Sequence, residues 1–292
     1  MKGILLAGGR GTRLGACTWA TSKQLLPVYD KPMIYHPLST LMLAGIRDII
    51  IVCDTDQKLQ YEALLGDGSQ LGLDLVYRTQ DEPRGIADAL IVSGDDIQGR
   101  KTCLILGDNI FHGQGFVDYL RQGAALEEGA IIFGYPVADP QNYGVVQFDS
   151  SGNVISLEEK PRSPHSNMAV PGLYFYDERA LQYAHELKPS PRGELEITDL
   201  NKRYLEEGKL VVIDFGRGMA WLDTGSPEAL LKASQYVETI QARQGYYLAC
   251  IEEIAWRMGF ITPEEFARSA HRYAGTQYGA YITALASEAA HV

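Results

Sequence analysis

The fold is decided by residues 1–31, MKGILLAGGRGTRLGACTWATSKQLLPVYDK. The apolar run 3–7 is long enough for one buried strand, and Gly8, Gly9 and Gly11 follow it closely. Glycine accepts positive φ angles and lets backbone N–H groups come close to an oxyanion. The sequence predicts a strand that ends in an anion-binding loop.

This stretch is basic within a chain that is acidic overall. Arg10, Arg13, Lys23 and Lys31 are accompanied by a single acid, Asp30, whereas the whole chain carries a formal net charge of −11. Positive charge beside glycine N–H groups is typical of a phosphate-binding site, and a nucleoside triphosphate is the ligand that fits this site best. A Gly-rich turn is the alternative for the glycines alone, and the downstream basic residues favour the phosphate interpretation.

Two familiar phosphate loops do not match this stretch. The P-loop string Gly-x-x-x-x-Gly-Lys-Ser/Thr does not occur in the sequence. Gly9 and Gly11 begin the fingerprint G-x-G-x-x-G, but Leu14 occupies the place of its third glycine. The spacing argues against a dehydrogenase with a Rossmann dinucleotide site.

Two motifs in this region carry a specific resemblance, L-A-G-G-x-G-T-R-L and then S-K-Q-L-L-P-V-Y-D-K-P-M-I-Y. Together they resemble the signature of the sugar-phosphate nucleotidylyltransferases, and the similarity continues to about residue 260. Within that family, Ser22-Lys23-Gln24 resembles enzymes that use dTTP, because relatives that use UTP or GTP usually follow the lysine with another residue. The resemblance implies a Mg²⁺-dependent transferase that uses dTTP.

The composition is that of an ordinary globular protein. The 292 residues are 46% hydrophobic and 22% charged, so a large core is easily built. The net charge of −11 argues against nucleic acid and anionic membranes as partners, because both attract basic surfaces. No apolar run approaches the roughly 20 residues of a transmembrane helix. The four cysteines have no zinc-site spacing, and we expect a cytoplasmic protein with reduced thiols.

Strand and helix patterns alternate through the first half of the chain. The predicted strands are 4–7, 48–53, 73–77, 103–106 and 130–135. Alternation with helices predicts right-handed βαβ units, and so an α/β fold with a Rossmann-like, mixed and mostly parallel sheet flanked by helices. Three strands without intervening helices follow Pro136, and a C-terminal helical annex ends the chain. We expect one compact unit, with residues 1–240 as the α/β part, including the sugar-binding part, and 241–292 as the annex.

Two aspartates stand in similar surroundings. Asp108 follows the buried run 103–106, and Asp223 follows Ala220-Trp221-Leu222. Taken alone, an aspartate in such a place is typically the cap of a turn. In the resembled family, two such aspartates jointly bind Mg²⁺, which prefers oxygen ligands, keeps waters and bridges phosphates. The resemblance implies a metal site at Asp108 and Asp223.

The resemblance also assigns catalytic and nucleotide-binding positions. Arg13 and Lys23 would hold the developing pyrophosphate, and Asp108 and Asp223 complete the implied catalytic set. Gln80 offers a carboxamide that can pair with the donor and acceptor edge of thymine. The implied nucleotide-binding residues are Leu6, Gly8, Gly9, Gly11, Thr12, Gln24, Gln80, Pro83 and Gly85.

The segment around E-E-K-P resembles the sugar-phosphate half of the family's site. A glutamate can accept two sugar hydroxyls and Lys160 can neutralise the sugar phosphate, whereas a solvated strand end is the alternative for this string. The implied residues are Tyr143, Gly144, Glu159, Lys160, Val170, Tyr174 and Arg192. The chain departs from the family here at His165, Met168 and Pro171. Pro171 has no N–H, so any sugar contact from that backbone donor is lost and the sugar preference is open.

The implied reaction converts dTTP and α-D-glucose 1-phosphate to dTDP-glucose and pyrophosphate, and feeds deoxysugar synthesis such as that of dTDP-rhamnose. A phosphate monoester has a second pKa of about 6, so it attacks the α-phosphorus in line without a general base. Positioning and charge neutralisation then carry catalysis. One alternative is an enzyme that uses UTP or several sugar phosphates, since a methyl contact discriminates by only about 1–3 kcal/mol. The other is a catalytically inactive sensor that binds nucleotide-sugars. Such a protein has no need of the full set of charged residues, Arg13, Lys23, Asp108, Lys160 and Asp223.

Aromatic residues recur at helical spacing in the annex, which is typical of a core or a subunit interface. The resemblance implies a homotetramer, a dimer of dimers, with a second nucleotide-sugar site that gives feedback inhibition. The implied regulatory residues are Leu43, Gly113, Arg217, Glu253, Ile254 and Arg257. The chain also departs from the family at Ala16, where proline is usual, and at His36 and His112, where tyrosine is common. Residues 262–292 match least well.

Overall fold

The fold is described from a computed structural model that covers residues 1–9, 11–82 and 84–289. The strands are β1 (Lys2–Leu6), β2 (Pro27–Val28), β3 (Lys31–Pro32), β4 (Asp48–Asp54), β5 (Asp74–Gln80), β6 (Thr102–Leu106), β7 (Asn109–Gly113), β8 (Ala130–Pro136), β9 (Gly144–Phe148), β10 (Val154–Glu159), β11 (Met168–Ala169), β12 (Leu173–Tyr176), β13 (Leu210–Asp214) and β14 (Met219–Asp223). The helices are α1 (Tyr35–Leu43), α2 (Lys58–Leu65), α3 (Asp88–Val92), α4 (Gly94–Ile97), α5 (Phe116–Ala124), α6 (Ala180–Glu186), α7 (Ile197–Glu206), α8 (Pro227–Gln244), α9 (Ile251–Arg257), α10 (Pro263–Ser269) and α11 (Gln277–Ala289).

The central sheet is built around β1. Strands β4 and β6 flank β1 in parallel, and β5 extends the sheet in parallel beyond β4. Strand β12 pairs antiparallel with both β6 and β8, and β13 joins β8 in parallel. The remaining order is β10-β9-β11-β8 on the far side of β12. The predicted mixed α/β sheet flanked by helices is confirmed.

Strand β4 illustrates why these segments become central strands. Its residues 49–53, IIIVC, are completely buried on both faces. A continuous β-branched run suits a parallel strand that is covered by helices on both sides, because neither face needs polar side chains. The same reasoning predicts β1 and β6, and the structure has both as predicted to within two residues.

The carboxyl ends of the parallel strands meet at one edge of the sheet. Strand β1 leads into Gly8, β4 ends at Asp54, β5 ends at Gln80, and Asp108 follows β6. In open α/β sheets ligands collect at this edge, because the loops that leave the strands enclose a crevice there. The topology alone assembles a site from four separate segments.

A two-stranded ribbon completes this edge, and neither of its strands was among those predicted from the sequence. Strand β7 pairs antiparallel with β14, in a register that places Asn109 opposite Asp223. The two strands are far apart in the chain, so no local sequence pattern indicates that they pair. The ribbon brings Asp223 next to Asp108.

The C-terminal helices share the core of the α/β part. One buried cluster runs from Leu5 and Leu38 to Ile251, Phe266 and Ile282. The sequence also predicts two helix starts, at Ser226-Pro227-Glu228 and at the capping box Thr262-Pro263-Glu264-Glu265. Both are confirmed, because Ser226 Oγ accepts the N–H of Ala229 and Thr262 forms the capping box with Glu265. Helix α8 runs across the expected boundary between residues 240 and 241. Over residues 1–9, 11–82 and 84–289, no helix is long and apolar enough to cross a membrane.

Candidate active site

The glycine loop after β1 folds back onto the segment that carries Lys23. Gly9 and Gly11 have φ angles of 103° and 56°, which glycine adopts without strain. A Cβ added to Gly11 would lie 3.2 Å from Cβ of Lys23. The N–H of Gly9 donates to Oδ1 of Asp54 over 3.4 Å. Position 11 therefore favours glycine for two reasons, its left-handed backbone conformation and the close approach of the Lys23 side chain.

A buried polar network supports this loop from below. The hydroxyl of Tyr61 pairs with Ser22 Oγ over 2.5 Å and donates to the carbonyl of Ala7 over 3.1 Å. Ser22 Oγ lies 2.6 Å from Oε1 of Gln24, and Nε2 of Gln24 donates to the carbonyl of Gly8 over 3.4 Å. Burial raises the pKa of Tyr61, so its hydroxyl stays protonated and remains a donor. Gln24 therefore contacts the loop backbone from the buried side.

Lys23 and Asp108 form an ion pair at the carboxyl edge of the sheet. Their Nζ and Oδ2 atoms are 2.5 Å apart, and Nδ2 of Asn109 donates to the other carboxylate oxygen over 2.7 Å. Burial alone would raise the pKa of Asp108, but the charge and hydrogen bond of Lys23, with that of Asn109, lower it below its ordinary value. Asp108 is a carboxylate at neutral pH.

Asp223 is held on the other side of the same cavity. The hydroxyl of Tyr143 donates to its Oδ1 over 3.3 Å. Burial and the nearby carboxylate of Asp223 raise the pKa of Tyr143 to about 12. A Cβ added to Gly225 would lie 2.8 Å from Nη2 of Arg13 and 3.2 Å from Oδ2 of Asp223. A side chain at Gly225 would therefore clash with the Arg13 guanidinium and crowd the Asp223 carboxylate.

The two aspartates suit a hard divalent cation. Both line one cavity, both offer only oxygen atoms, and the backbone ties them together, because Thr224 Oγ1 donates to the carbonyl of Asp108 over 3.0 Å. Over the described part of the chain, no group of three or more His, Cys, Asp or Glu side chains could hold a metal ion. A cation at this pair would take its remaining ligands from water or phosphate, which is how Mg²⁺ is commonly held.

The cavity at this edge has a volume of about 740 Å³ and brings together residues that the sequence analysis placed in both halves of the site. The predicted catalytic residues Arg13, Asp108 and Asp223 line it. The residues predicted to bind the sugar phosphate that also line it are Tyr143, Gly144, Glu159, Lys160, Val170 and Tyr174. A volume of this order is typical of a pocket for a small metabolite.

Glu159 is oriented before any substrate binds. The hydroxyl of Thr198, on α7, donates to Oε2 over 2.5 Å, and the Arg192 guanidinium approaches Oε1 at 3.4 Å. Arg192 does not line the cavity and also pairs with Glu194 over 2.5 Å. Lys160 adopts a left-handed backbone conformation, with φ of 43°, which is uncommon for a non-glycine residue and is often found at functional sites.

A second cavity, of about 700 Å³, lies on the α2 side of the glycine loop. The predicted nucleotide residues Gly9, Thr12 and Gln80 line it, together with Ser22 and Asp54. A Cβ added to Gly8 would lie 3.3 Å from Oε1 of Gln80, 3.5 Å from Oδ1 of Asp54 and 3.7 Å from Cδ1 of Leu6. Gly85 has a structural role as well, because a Cβ there would lie 2.4 Å from the carbonyl oxygen of Leu195, so its missing side chain accommodates the chain's own backbone. Pro83 lies outside the described residues.

Several side chains of these cavities were not predicted from the sequence. Asp54 follows a buried strand just as Asp108 does, so the same signal was present for it. Thr198 lies in the string R-G-E-L-E-I-T-D, from which only Arg192 was taken as a site residue. Tyr61 has no local signal, because a tyrosine on the buried face of a helix is usually a core residue.

The residues of the implied regulatory site lie on the annex side of the molecule. Glu253, Ile254 and Arg257 are on α9, which packs on α1, and Leu43 ends α1. Glu253 accepts a hydrogen bond from Arg257 Nε over 2.7 Å and another from the Tyr281 hydroxyl over 2.6 Å. Gly113 ends β7, and Arg217 is exposed in the turn before β14.

Comparison with known proteins gives consistent matches over the whole chain. The family model described as nucleotidyl transferase matches residues 2–240. Glucose-1-phosphate thymidylyltransferase of Xanthomonas campestris pv. campestris is 55% identical over 289 residues, covering 99% of this chain and 98% of that protein. The enzyme of the same name from Neisseria gonorrhoeae is 54% identical over 285 residues, covering 98% and 99% respectively.

Solved structures agree with the fold. A Bacillus anthracis protein assigned as a glucose-1-phosphate thymidylyltransferase and solved with sucrose has a TM-score of 0.75 and 40% identity, over 81% of this chain and 94% of that chain. A UDP-glucose pyrophosphorylase solved with UDP-glucose has a TM-score of 0.72 and 24% identity, over 82% and 98% respectively. At that identity the second match supports the fold alone.

Proposed function

The chain belongs to the nucleotidyl transferase family, and we propose that it joins dTTP and α-D-glucose 1-phosphate into dTDP-glucose, with release of pyrophosphate. Relatives named glucose-1-phosphate thymidylyltransferase share 48–55% of their residues with it over nearly its full length, which supports this substrate pair. UTP and other sugar 1-phosphates remain the alternative substrates, with Pro171 as the residue that leaves the sugar open.

One arrangement carries the proposal. The Lys23–Asp108 ion pair lies at the mouth of the glycine loop, and the cavity that Asp108 enters also contains Lys160 and Glu159. Arg13 and Lys160 both line this cavity, so two phosphate-bearing substrates can meet there, one over the glycine loop and the other beside Lys160. A single-substrate binding protein has no need of positive charge on both sides of one cavity.

The residues of this chain contribute position and charge. Lys160 neutralises the sugar phosphate, and the carboxylate of Glu159, already fixed by Thr198, accepts hydrogen bonds from sugar hydroxyls. An oxygen of the sugar phosphate attacks the α-phosphorus in line, a P–O bond forms, and the bond to the departing pyrophosphate breaks. Lys23 and Arg13 stabilise the charge that collects on the leaving group. No proton transfer is needed, because the attacking phosphate is already ionised.

Asp108 and Asp223 would hold Mg²⁺, which supplies charge neutralisation on the phosphates when bound. Tyr143 helps to fix Asp223, and Asn109 fixes Asp108, so both carboxylates are held in place by their neighbours. The pKa of Asp108 is kept low chiefly by Lys23 against the effect of burial, which preserves the charge that a cation requires.

The resemblance supports three further parts of the proposal. These are a role in deoxysugar synthesis, assembly as a homotetramer, and feedback inhibition through the α1–α9 region. Each has a separate test: the fate of the product in cells, sedimentation in solution, and inhibition by dTDP-sugars after substitution of Arg257.

The test of the reaction is pyrophosphate release from dTTP, UTP, CTP, ATP and GTP, each with glucose 1-phosphate and Mg²⁺. Release that is highest with dTTP supports the proposal. Release with UTP alone would contradict the choice of nucleotide, and no release from folded protein with any of the five would contradict the reaction.

A further inference from the structure

Asp88, at the start of α3, is a completely buried acid that the proposed reaction does not use. Its Oδ2 accepts a hydrogen bond from Nε2 of Gln80 over 2.5 Å, and its Oδ1 accepts one from Nη2 of Arg84 over 2.7 Å. The side chain of Asp88 is 0% exposed, whereas that of Arg84 is 57% exposed. Both oxygens of the carboxylate are thus engaged by donors, one of which belongs to the residue assigned to base recognition.

This contact determines which way the Gln80 carboxamide points. Nε2 is directed to Asp88, and Oε1 lies on the side of Gly8, where a Cβ added to that glycine would be 3.3 Å away. Within residues 1–9, 11–82 and 84–289, no hydrogen bond to Oε1 of Gln80 is formed. The oxygen is thus available as an acceptor beside the nucleotide loop.

The opposite orientation of the carboxamide is disfavoured by the same acid. Rotation by half a turn would place Oε1 against the Asp88 carboxylate, and a carboxylate can only accept hydrogen bonds. Two acceptors would face each other and Oδ2 of buried Asp88 would lose its donor, which is unfavourable in a site shielded from water. Asp88 therefore holds Gln80 in one of its two orientations.

The orientation matters because pyrimidines differ at N3. Thymine and uracil carry an N3–H donor between two carbonyl groups, whereas cytosine has an acceptor at N3 beside an amino group. A carboxamide that presents its oxygen fits the first pattern, and the flipped carboxamide fits the second. We propose that Asp88 is a positioning residue that selects thymine and uracil over cytosine by fixing the orientation of Gln80.

This inference rests on the proposed function, because Gln80 must contact the base. It is tested with full-length Asp88→Asn, in which the new side chain can offer Gln80 either an acceptor or a donor and so permits both orientations. The kcat/KM values for dTTP, dUTP and dCTP are measured with glucose 1-phosphate and Mg²⁺. We expect the dTTP-to-dCTP ratio to fall by about tenfold to a hundredfold, the range for one mismatched buried hydrogen bond. The dTTP-to-dUTP ratio should not change, because both bases carry N3–H.

Asp96→Asn is the matched control. Asp96 also accepts hydrogen bonds from an arginine, Arg78, over 2.8 and 2.9 Å, but it lies on α4 outside both cavities. This variant should keep both ratios at the wild-type values. Should Asp88→Asn be recovered unfolded by circular dichroism, Asp88→Ser replaces it, since a hydroxyl also donates and accepts, with the same expectation.

A dTTP-to-dCTP ratio within twofold of wild type in the folded Asp88 variant would overturn the inference while leaving the proposed function intact. A fall in both ratios together would also overturn it. Such a result would show a general loosening of the base site, and not a specific loss of discrimination between a base with an N3–H donor and a base with an N3 acceptor. Wild-type turnover with dTTP is measured first. Its absence would contradict the proposed function, and with it this inference.

Discussion

The Nζ atom of Lys23 lies 2.5 Å from Oδ2 of Asp108, although the two residues are 85 positions apart in the chain. The lysine side chain is 7% exposed and the aspartate side chain 26%, so the pair is shielded but still open to the cavity. Each residue neutralises the other in the absence of substrate. We expect phosphate binding to redirect Lys23 and to leave Asp108 available for a cation, so that one ion pair prepares both groups for the reaction.

Replacement of Lys23 tests its assigned role directly. Lys23→Ala removes one stabiliser of the leaving group, which typically costs about 3–4 kcal/mol of transition-state stabilisation. We expect the rate of pyrophosphate release to fall by about a hundredfold to a thousandfold. Lys209→Ala is the control, because Lys209 pairs with Glu128 at the surface. Near-normal turnover of Lys23→Ala would remove this assignment.

Replacement of Asp223 tests the proposed cation site. Asp223→Asn keeps the shape of the side chain but removes one of two negative charges, so it should raise the Mg²⁺ concentration that gives half-maximal activity. Loss of indirect supporting contacts costs about tenfold to a hundredfold in metal affinity, and loss of a direct ligand should cost at least as much. A Mg²⁺ titration of activity measures this. Asp199→Asn is the control, because Asp199 is half-buried, pairs with Lys202 and does not line the cavity. An unchanged titration curve would place the cation elsewhere.

Replacement of Glu159 tests the sugar half of the cavity. Glu159→Gln weakens charge-assisted hydrogen bonds to sugar hydroxyls, each worth about 1.5–3 kcal/mol, so the KM for glucose 1-phosphate should rise by about tenfold or more. The KM for dTTP should change little. Glu158→Gln is the control, because the neighbouring side chain is exposed on the other face of β10. Equal effects of the two substitutions would argue against sugar recognition by Glu159.

His36 predicts a pH dependence of stability. Burial, helped by the charge of Lys31, lowers the pKa of this histidine from 6.5 to about 3, and no hydrogen bond is formed to its Nε2 within the described residues. Below pH 6.5 the unfolded chain binds a proton that the folded chain does not, so the free energy of unfolding falls as the pH falls from 6.5 towards 3. The loss at pH 5, relative to pH 7, should be about 2 kcal/mol from this residue.

Urea unfolding of His36→Leu at both pH values measures this contribution. The difference between pH 7 and pH 5 should be about 2 kcal/mol smaller in His36→Leu than in wild type. Burial also lowers the pKa of His112, which contributes equally in both proteins and leaves the comparison intact. Exposed His165→Leu should retain the wild-type difference. A His36→Leu protein with that same difference would show that His36 is not the source.

Local pattern was sufficient for much of the site. The apolar run before Gly8 predicted β1 and its loop, and the position of Asp108 after a buried strand placed it at the carboxyl edge of the sheet. Both predictions rest on the rule that parallel strands end together. The helix starts at Ser226 and Thr262 were equally predictable, because a helix cap is made by residues that are close together in the sequence.

Other features depend on contacts that no local pattern contains. Strand β7 forms only because β14 returns beside it, and this pairing determines that Asp223 lies next to Asp108. Gly85 was predicted only as a nucleotide-binding residue, and in the structure its missing side chain also makes room for the backbone at Leu195. From the sequence alone, Asp88 is indistinguishable from an ordinary acid in the first turn of a helix. Its contact with Gln80 appears only once β5 and α3 are packed together.

The central claim is that the sugar phosphate attacks the α-phosphorus of dTTP. The measurement that tests it most directly uses glucose 1-phosphate whose non-bridging phosphate oxygens are ¹⁸O, followed by mass spectrometry of both products. We predict that all three labelled oxygens are found in dTDP-glucose, one of them between the two phosphorus atoms, and that pyrophosphate carries no label. Label in the pyrophosphate, or a product without label, would contradict the claim.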